Sequence, residues 1–296
     1  MHGTEVKGAY LNWRIGSKTL TSLSDGYNPV DYSIIHSITP EKGAALQRAA
    51  HRPDKPVFTH TMFLIRGEDH GPILIDAGMG NIAGPTLGWL PNSLAMAGLA
   101  PTDIERVLMT HLHPDHCFGL IDDNRLARFP NARLAIHRDE YAFWFEPEGA
   151  LRAPDSLKPY FDLVRASVEP YRNRLEFFTE GEVAPGVTAF PLPGHTPGHS
   201  GFNVSSSGEE LLIWADSLHL PAIQPMCPEA GVIHDVDRSA AAHMRQWIFE
   251  KVAAERRLVA GCHLEWPSVA LLVKEAEAYR LIPAFWPAEA SAAEGA

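Results

Sequence analysis

The chain has 296 residues, 45% hydrophobic and 21% charged, the make-up of a protein with a sizeable buried core. Its formal net charge of −11 at pH 7 speaks against nucleic acid and anionic membrane as partners, because phosphate contact demands a basic surface. No apolar run approaches the ~18 residues that a membrane span needs.

The opening stretch MHGTEVKGAYLNWRIG has no basic start leading into an apolar segment, and three cysteines (Cys117, Cys227, Cys262) show no C-x-x-C spacing. Both features suit a reducing compartment, so a cytoplasmic location is expected. In chain order, FTHTMFLIRGEDHGPILIDAG predicts two strands joined by a polar turn at Gly67 to Gly71, the second ending in Asp76 and a glycine-rich loop. NSLAMAGLAPTDIERVLMT predicts a helix, a break at Pro101, and a buried strand, RVLMT. RLAIH is a short strand and RDEYAFWFE begins a helix. LEFFTEGEVAPGVTAFPLPGH gives two or three short strands ending at a glycine-histidine loop. SGFNVSSSGEELLIWADSLHL is a hairpin turning at Ser205 to Glu209. DRSAAAHMRQWIFEKVAAERR is an amphipathic helix capped by Asp237, followed by the strand LVAGCH. No fixed-period repeat and no long linker divides this order. One sheet-rich, layered α/β domain over residues 1–296 is expected, with the last ~10 residues, PAEASAAEGA, frayed.

The strand RVLMT delivers THLHPDH, Thr110 to His116. A lone histidine in an apolar segment is more often a hydrogen-bonded core residue than a ligand. The spacing here changes that balance. His111 and His113 alternate, so extended backbone points both to one face. Pro114 ends the run, and Asp115 and His116 then point elsewhere. This geometry suggests two adjacent ion sites served by one loop.

From Thr59 to Pro267 the chain resembles the metallo-β-lactamase-fold hydrolases, which carry H-x-H-x-D-H after a buried strand. Further landmarks follow in order: LIDAG with Asp76, PGHTPGHS with His195, WADS with Asp216, and AGCHLEWP with His263. The resemblance implies an αββα sandwich, two mixed β-sheets packed face to face with helices outside. It implies two divalent metal ions, one held by His111, His113 and His195, the other by Asp115, His116 and His263, with Asp216 and a water or hydroxide between them. Zinc is the default for such donors, and iron, manganese or cobalt can use the same set. Asp76 would hold the ligand loop from behind. His199, four residues after His195, would be structural in this pattern. His36, His51, His60, His70, His137, His234 and His243 have no ligand spacing and are read as bland, and Cys117 and Cys262 as packing residues.

ADSLHLPAIQP, AGCHLEWP and the early SLSDGYNPV (an opening strand and loop) resemble the methyl parathion hydrolase and lactonase-like branch. N-acyl-homoserine lactonases of this fold place a tyrosine three residues after the bridging aspartate; here that position is His219, able to donate a proton to a leaving oxygen. Pocket walls are expected from Trp89, Leu90, Phe118 and the run Leu218 to Met226, including Ile223. Tyr141 to Phe161 is aromatic enough for a lid or dimer surface, although such stripes are more often core. The expected function is a dinuclear hydrolase, with Asp216, Asp115 and His219 at its chemistry, opening lactones or aryl and alkyl esters of neutral hydrophobic small molecules. Phosphotriester hydrolysis would be a secondary activity. The alternatives are an organophosphate hydrolase and a metal-binding sensor that kept the fold. A homodimer is compatible with all of these.

Overall fold

The computed structural model describes residues 7–82 and 84–285, so the expected fraying of the last ten residues lies outside the described part. The first half runs β1 (Tyr10–Ile15), β2 (Lys18–Pro29), β3 (Ile35–His36), α1 (Pro40–Ala49), β4 (Val57–Arg66), β5 (Ile73–Ile75), α2 (Leu90–Met96), β6 (Arg106–Leu108) and α3 (Pro114–Cys117). It continues through β7 (Arg133–His137), α4 (Arg138–Phe145), α5 (Pro147–Arg152), α6 (Phe161–Val168) and β8 (Leu175–Phe178). The second half holds β9 (Gly181–Ala184), β10 (Val187–Pro191), β11 (Ser200–Ser206), β12 (Glu209–Ile213) and β13 (Gly231–Val232). It closes with α7 (Arg238–Glu255), β14 (Leu258–Ala260), β15 (Val269–Glu275) and β16 (Ala278–Pro283).

One seven-stranded sheet is ordered β1-β2-β4-β5-β6-β7-β8, the other β16-β15-β14-β12-β11-β10-β9. Both are mixed: β5 to β8 pair in parallel, as do β12 and β14, and the rest are antiparallel. Side-chain alternation builds the layers. On β4, Phe63 and Ile65 point to the space between the sheets and meet Phe202, Val204, Leu211 and Ile213, while Met62 and Leu64 point outward. Those outward residues pack beneath Leu94, Phe143, Phe161 and Val164 of the helices. On the far side, Leu212, Val259 and Leu272 pack against Ile248, Phe249 and Val252 of α7. Strands covered on both faces read as unbroken apolar runs, which is why MFLI and LLI show little polar alternation. Each of these fully buried side chains contributes about 1.5–3 kcal/mol by leaving water. The expected αββα sandwich is the fold observed.

The structure differs from the sequence expectations in a few places. SLSDGYNP is strand throughout, with a register shift at Ser24/Gly26 in its pairing with β4 that leaves Asp25 unpaired in a bulge beside Gly26 (φ 106°), where a loop was expected. Helix α1 and the hairpin β15–β16 were not foreseen. Helix α1, PEKGAALQRA, has only Leu46 as a large apolar residue and buries little, while β15 loses its apolar pattern at Lys274 and Glu275. Strands β8, β9 and β10 form as a series, but β8 ends the first sheet and β9 begins the second. The Tyr141 to Phe161 segment contributes Phe143, Trp144, Leu157 and Phe161 to the core, while Leu151 is exposed. No described helix is long and apolar enough to cross a membrane.

Candidate metal centre

The loops after β5, β6, β10, β12 and β14 meet at one edge of the sandwich. Strands β5 and β6 are parallel, so their C-terminal ends are neighbours. Strands β12 and β14 are parallel too, and β10 runs the same way across antiparallel β11. Two backbone bonds bind the sheets together at this edge: Ser200 N to the Thr110 carbonyl at 2.9 Å and Thr61 N to the Cys262 carbonyl at 2.9 Å. Two non-glycine residues here hold left-handed backbone, Asp76 (φ 62°) and Ala215 (φ 47°), the latter directly before Asp216. Such conformations cost on the order of 1–3 kcal/mol and persist where surrounding contacts over-determine them.

His111, His113 and His195 bring their donor atoms within 4.8 Å of one another, and so do Asp115, His116, Asp216 and His263. Asp216 is the hub. Its Oδ2 lies 3.2 Å from His263 Nε2, 3.3 Å from His116 Nε2, 3.5 Å from His195 Nε2 and 3.7 Å from His111 Nε2. Nε2 of His111, His113, His116 and His195, and Oδ1 of Asp216, are buried without a hydrogen-bond partner. Buried polar atoms without partners are expensive, so five at one point indicate a site for cations. Imidazole and carboxylate donors in this number fit two divalent ions.

Outer contacts fix the rings. Asp76 accepts from Thr110 N (2.8 Å) and Thr110 Oγ1 (2.7 Å) and meets His116 Nδ1 at 2.8 Å. His195 Nδ1 is 2.7 Å from Asp235 Oδ1, and His263 Nδ1 is 2.8 Å from the Thr59 carbonyl. These contacts leave each Nε2 facing inward. His199 differs: its Nδ1 meets the Leu192 carbonyl at 2.8 Å and its Nε2 accepts from Asp216 N at 3.1 Å, so both nitrogens are engaged.

Burial by itself would raise the carboxyls of Asp216 and Asp115, yet neighbouring imidazoles, His116 foremost, take both well below the usual carboxylate range. Burial also opposes charge on His116, but Asp216, Asp115 and Asp76 hold it well above its ordinary value. Burial and adjacent rings push His111 and His113 well below theirs. Both carboxylates are therefore ionised, the state that receives a cation.

The structure thus brings together all seven residues expected as ligands and places Asp76 behind them. His219 also lies here, 3% exposed, its Nε2 3.2 Å from Asp216 Oδ2, its ring stacked on His263 at 5.1 Å, and its Nδ1 buried without a partner. The expected pocket walls need correction. Phe118 (2% exposed), Leu218 (0%) and Ile223 (0%) lie inside hydrophobic clusters and offer no surface to a ligand, as does Leu90. Their loops double back onto the core, so apolar side chains beside the ligands pack inward. Trp89 is half-buried, its edge against Tyr27 at 5.9 Å and its Nε1 donating to the Pro85 carbonyl. Trp214 packs on Phe249 on the helix side of its sheet.

Some residues at the centre escaped the sequence reading. His60 Nδ1 lies 3.4 Å from Asp115 and its ring meets His263, and His234 turns an edge toward His113 at 6.4 Å. His36 reaches Asp235 at 3.4 Å. Cys262 Sγ is 3.8 Å from Asp76 Oδ2, so it touches the ligand support as well as packing. The fifteen histidines of the chain, a high count for its length, were the only signal available for His36, His60 and His234.

A two-sheet sandwich flanked by helices, with histidines and aspartates gathered at one edge, defines the metallo-β-lactamase fold. The profile of the Metallo-beta-lactamase superfamily matches residues 56–263, and the chain belongs to that superfamily. The hydrolase of this superfamily expected from the sequence is thereby borne out. N-acyl homoserine lactonase AiiA of Bacillus thuringiensis subsp. kurstaki is 27% identical over 251 residues, 77% of this chain and 88% of the relative. N-acyl homoserine lactonase AiiB of Agrobacterium fabrum (strain C58) is 32% identical over 173 residues, 53% of this chain and 57% of the relative. The structure of AidC, a dizinc quorum-quenching lactonase, superposes with a TM-score of 0.90 at 24% identity, covering 95% of this chain and 99% of AidC. The hydrolase AbOPH superposes with a TM-score of 0.89 at 26% identity, covering 96% and 100%.

Proposed function

We propose that the protein is a dinuclear metal-dependent lactonase. The observation that carries this reading is the pair of donor groups converging on Asp216, with buried ring nitrogens that have no partner. In this reading His111, His113 and His195 would hold one ion and Asp115, His116 and His263 the other, with Asp216 available to both. When bound, two such cations, most naturally zinc, supply Lewis acidity that polarises a carbonyl and lowers the pKa of a water.

The chain's own residues do the rest. Asp76, Asp235 and the Thr59 carbonyl orient His116, His195 and His263, so the ligands need no reorganisation. Asp216 Oδ1, without a partner, accepts a hydrogen bond from the attacking water and orients it. Asp115, whose side chain is 18% exposed, marks the side from which substrate approaches. Burial takes His219 down to about 4, so at neutral pH its ring carries one proton and acts as a hydrogen-bond donor to the leaving oxygen rather than a store of charge. Lactones are favoured over other esters because relatives spanning most of this chain bear the name N-acyl homoserine lactonase.

The test is proton release by the zinc-loaded protein on an acyl-homoserine lactone, an aryl lactone, an aryl ester, a phosphotriester and a β-lactam, each with and without prior chelation. A chelator-sensitive rate greatest on a lactone is expected. A greater rate on the phosphotriester would move the assignment to organophosphate hydrolysis. Two bound ions with no turnover of any substrate would favour a sensor.

A further inference from the structure

Glu140 is 1% exposed on α4 and lies close to no cationic side chain among its hydrogen-bond partners; both of its oxygens are nonetheless fully engaged. Oε1 accepts from Leu112 N at 2.8 Å and from Trp144 Nε1 at 2.8 Å. Oε2 accepts from Thr196 Oγ1 and, at 3.2 Å, from Gly198 N. Leu112 stands between His111 and His113, and Thr196 and Gly198 lie one and three residues after His195. The two loops belong to different sheets, so this one carboxylate ties the first sheet's ligand loop to the second's.

Two neighbouring features serve the same junction. A Cβ on Gly198 would run into the backbone nitrogen and Cβ of Glu140, so only glycine lets that loop lie flush on α4. Trp144, held by Glu140, turns its ring edge to His113 at a centroid distance of 6.0 Å and an interplanar angle of 88°. A buried carboxylate is tolerated where several donors satisfy it, and only an acceptor-only group can take four.

We infer that Glu140 is a positioning residue that sets the spacing of His111 and His113 against His195. This inference rests on the metal reading proposed above. Asp76 and Asp235 orient individual rings; Glu140 fixes the backbone from which three rings project. Its loss therefore falls on the three-histidine group and spares the group of Asp115, His116 and His263.

Cobalt(II) titration of the metal-free protein, followed by visible absorption, tests this without substrate. The wild type should take up two equivalents. Glu140→Gln keeps the size but turns an NH2 toward two donors, and should weaken one equivalent by about 10–100-fold while leaving the other within a few-fold. Thr196→Val, which removes a single donor and preserves the carboxylate, should shift the same equivalent in the same direction by less, and decides the matter where E140Q folds poorly. Val252→Ala, in the remote α7 cluster, should lower thermal stability with cobalt binding unchanged. Wild-type cobalt binding in E140Q and T196V, or equal weakening in V252A, overturns the role of Glu140 alone. Failure of the wild type to take up cobalt overturns the metal reading and this inference with it.

Discussion

His116, His195 and His263 each commit one ring nitrogen to an outer partner and turn the other toward Asp216, whereas His199 commits both. His195→Ala should therefore lower metal content toward one equivalent, and His199→Ala should retain more metal than His195→Ala, as measured by elemental analysis after gel filtration. The reverse order would exchange their roles. Asp216→Ala should lose both ions and all activity; full activity with two ions bound would refute the ligand set. His219→Leu should lower kcat on lactones, whose developing alkoxide needs the ring's hydrogen bond, by about 10²-fold, and affect an aryl phosphotriester less. Equal losses on both would remove the donor role. At this scale the sequence was legible where partners are near in the chain: H-x-H-x-D-H places four donors in six residues. It was silent where a role depends on distant partners. Asp235 meets His195 across 40 positions and Glu140 meets Thr196 across 56, and nothing in the local spacing of either acid shows what it will touch.

Elements carry their own chemistry. Strand β2 places Asp25 under the loop that follows β5, where its carboxylate accepts from Met79 N at 2.8 Å and Leu90 N at 2.8 Å. Burial raises its pKa to about 7, against the lowering effect of those backbone donors. A carboxyl whose folded pKa exceeds its unfolded one gives stability that is present in full below the unfolded value and lost as pH rises through the folded value. Between roughly pH 4 and 7 the Asp25 contribution should thus decline by up to about 1.4 kcal/mol per pH unit. Urea unfolding of the metal-free wild type and Asp25→Asn across this range checks it: the wild type's advantage should shrink toward pH 7 and then level off. A constant difference would show that Asp25 stays ionised throughout. Long elements such as α7 were legible because cap, period and length agreed. Helix α1 was not, and strand β2 was legible only in part, because the first buries little and the second hides a bulge inside a loop-like sequence.

In the molecule as a whole, every strand of the first large sheet precedes Thr179 and every strand of the second follows it. The first half supplies His111, His113, Asp115 and His116; the second supplies His195, Asp216 and His263. Ions held between them favour the assembled state over the unfolded chain by mass action. At free metal ~1,000 times its dissociation constant the gain is about 4 kcal/mol for each site. Chelation should accordingly lower the melting temperature by about 10 °C or more, measured by calorimetry with and without chelator. An unchanged transition would mean that the ions do not join the halves.

A chain opened in the turn between Phe178 and Gly181 would yield two polypeptides, each with an incomplete ligand set and one bare face of a shared core. Neither could hold a pair of ions alone, so in a mixture of the two, metal uptake and turnover would report complementation and nothing else.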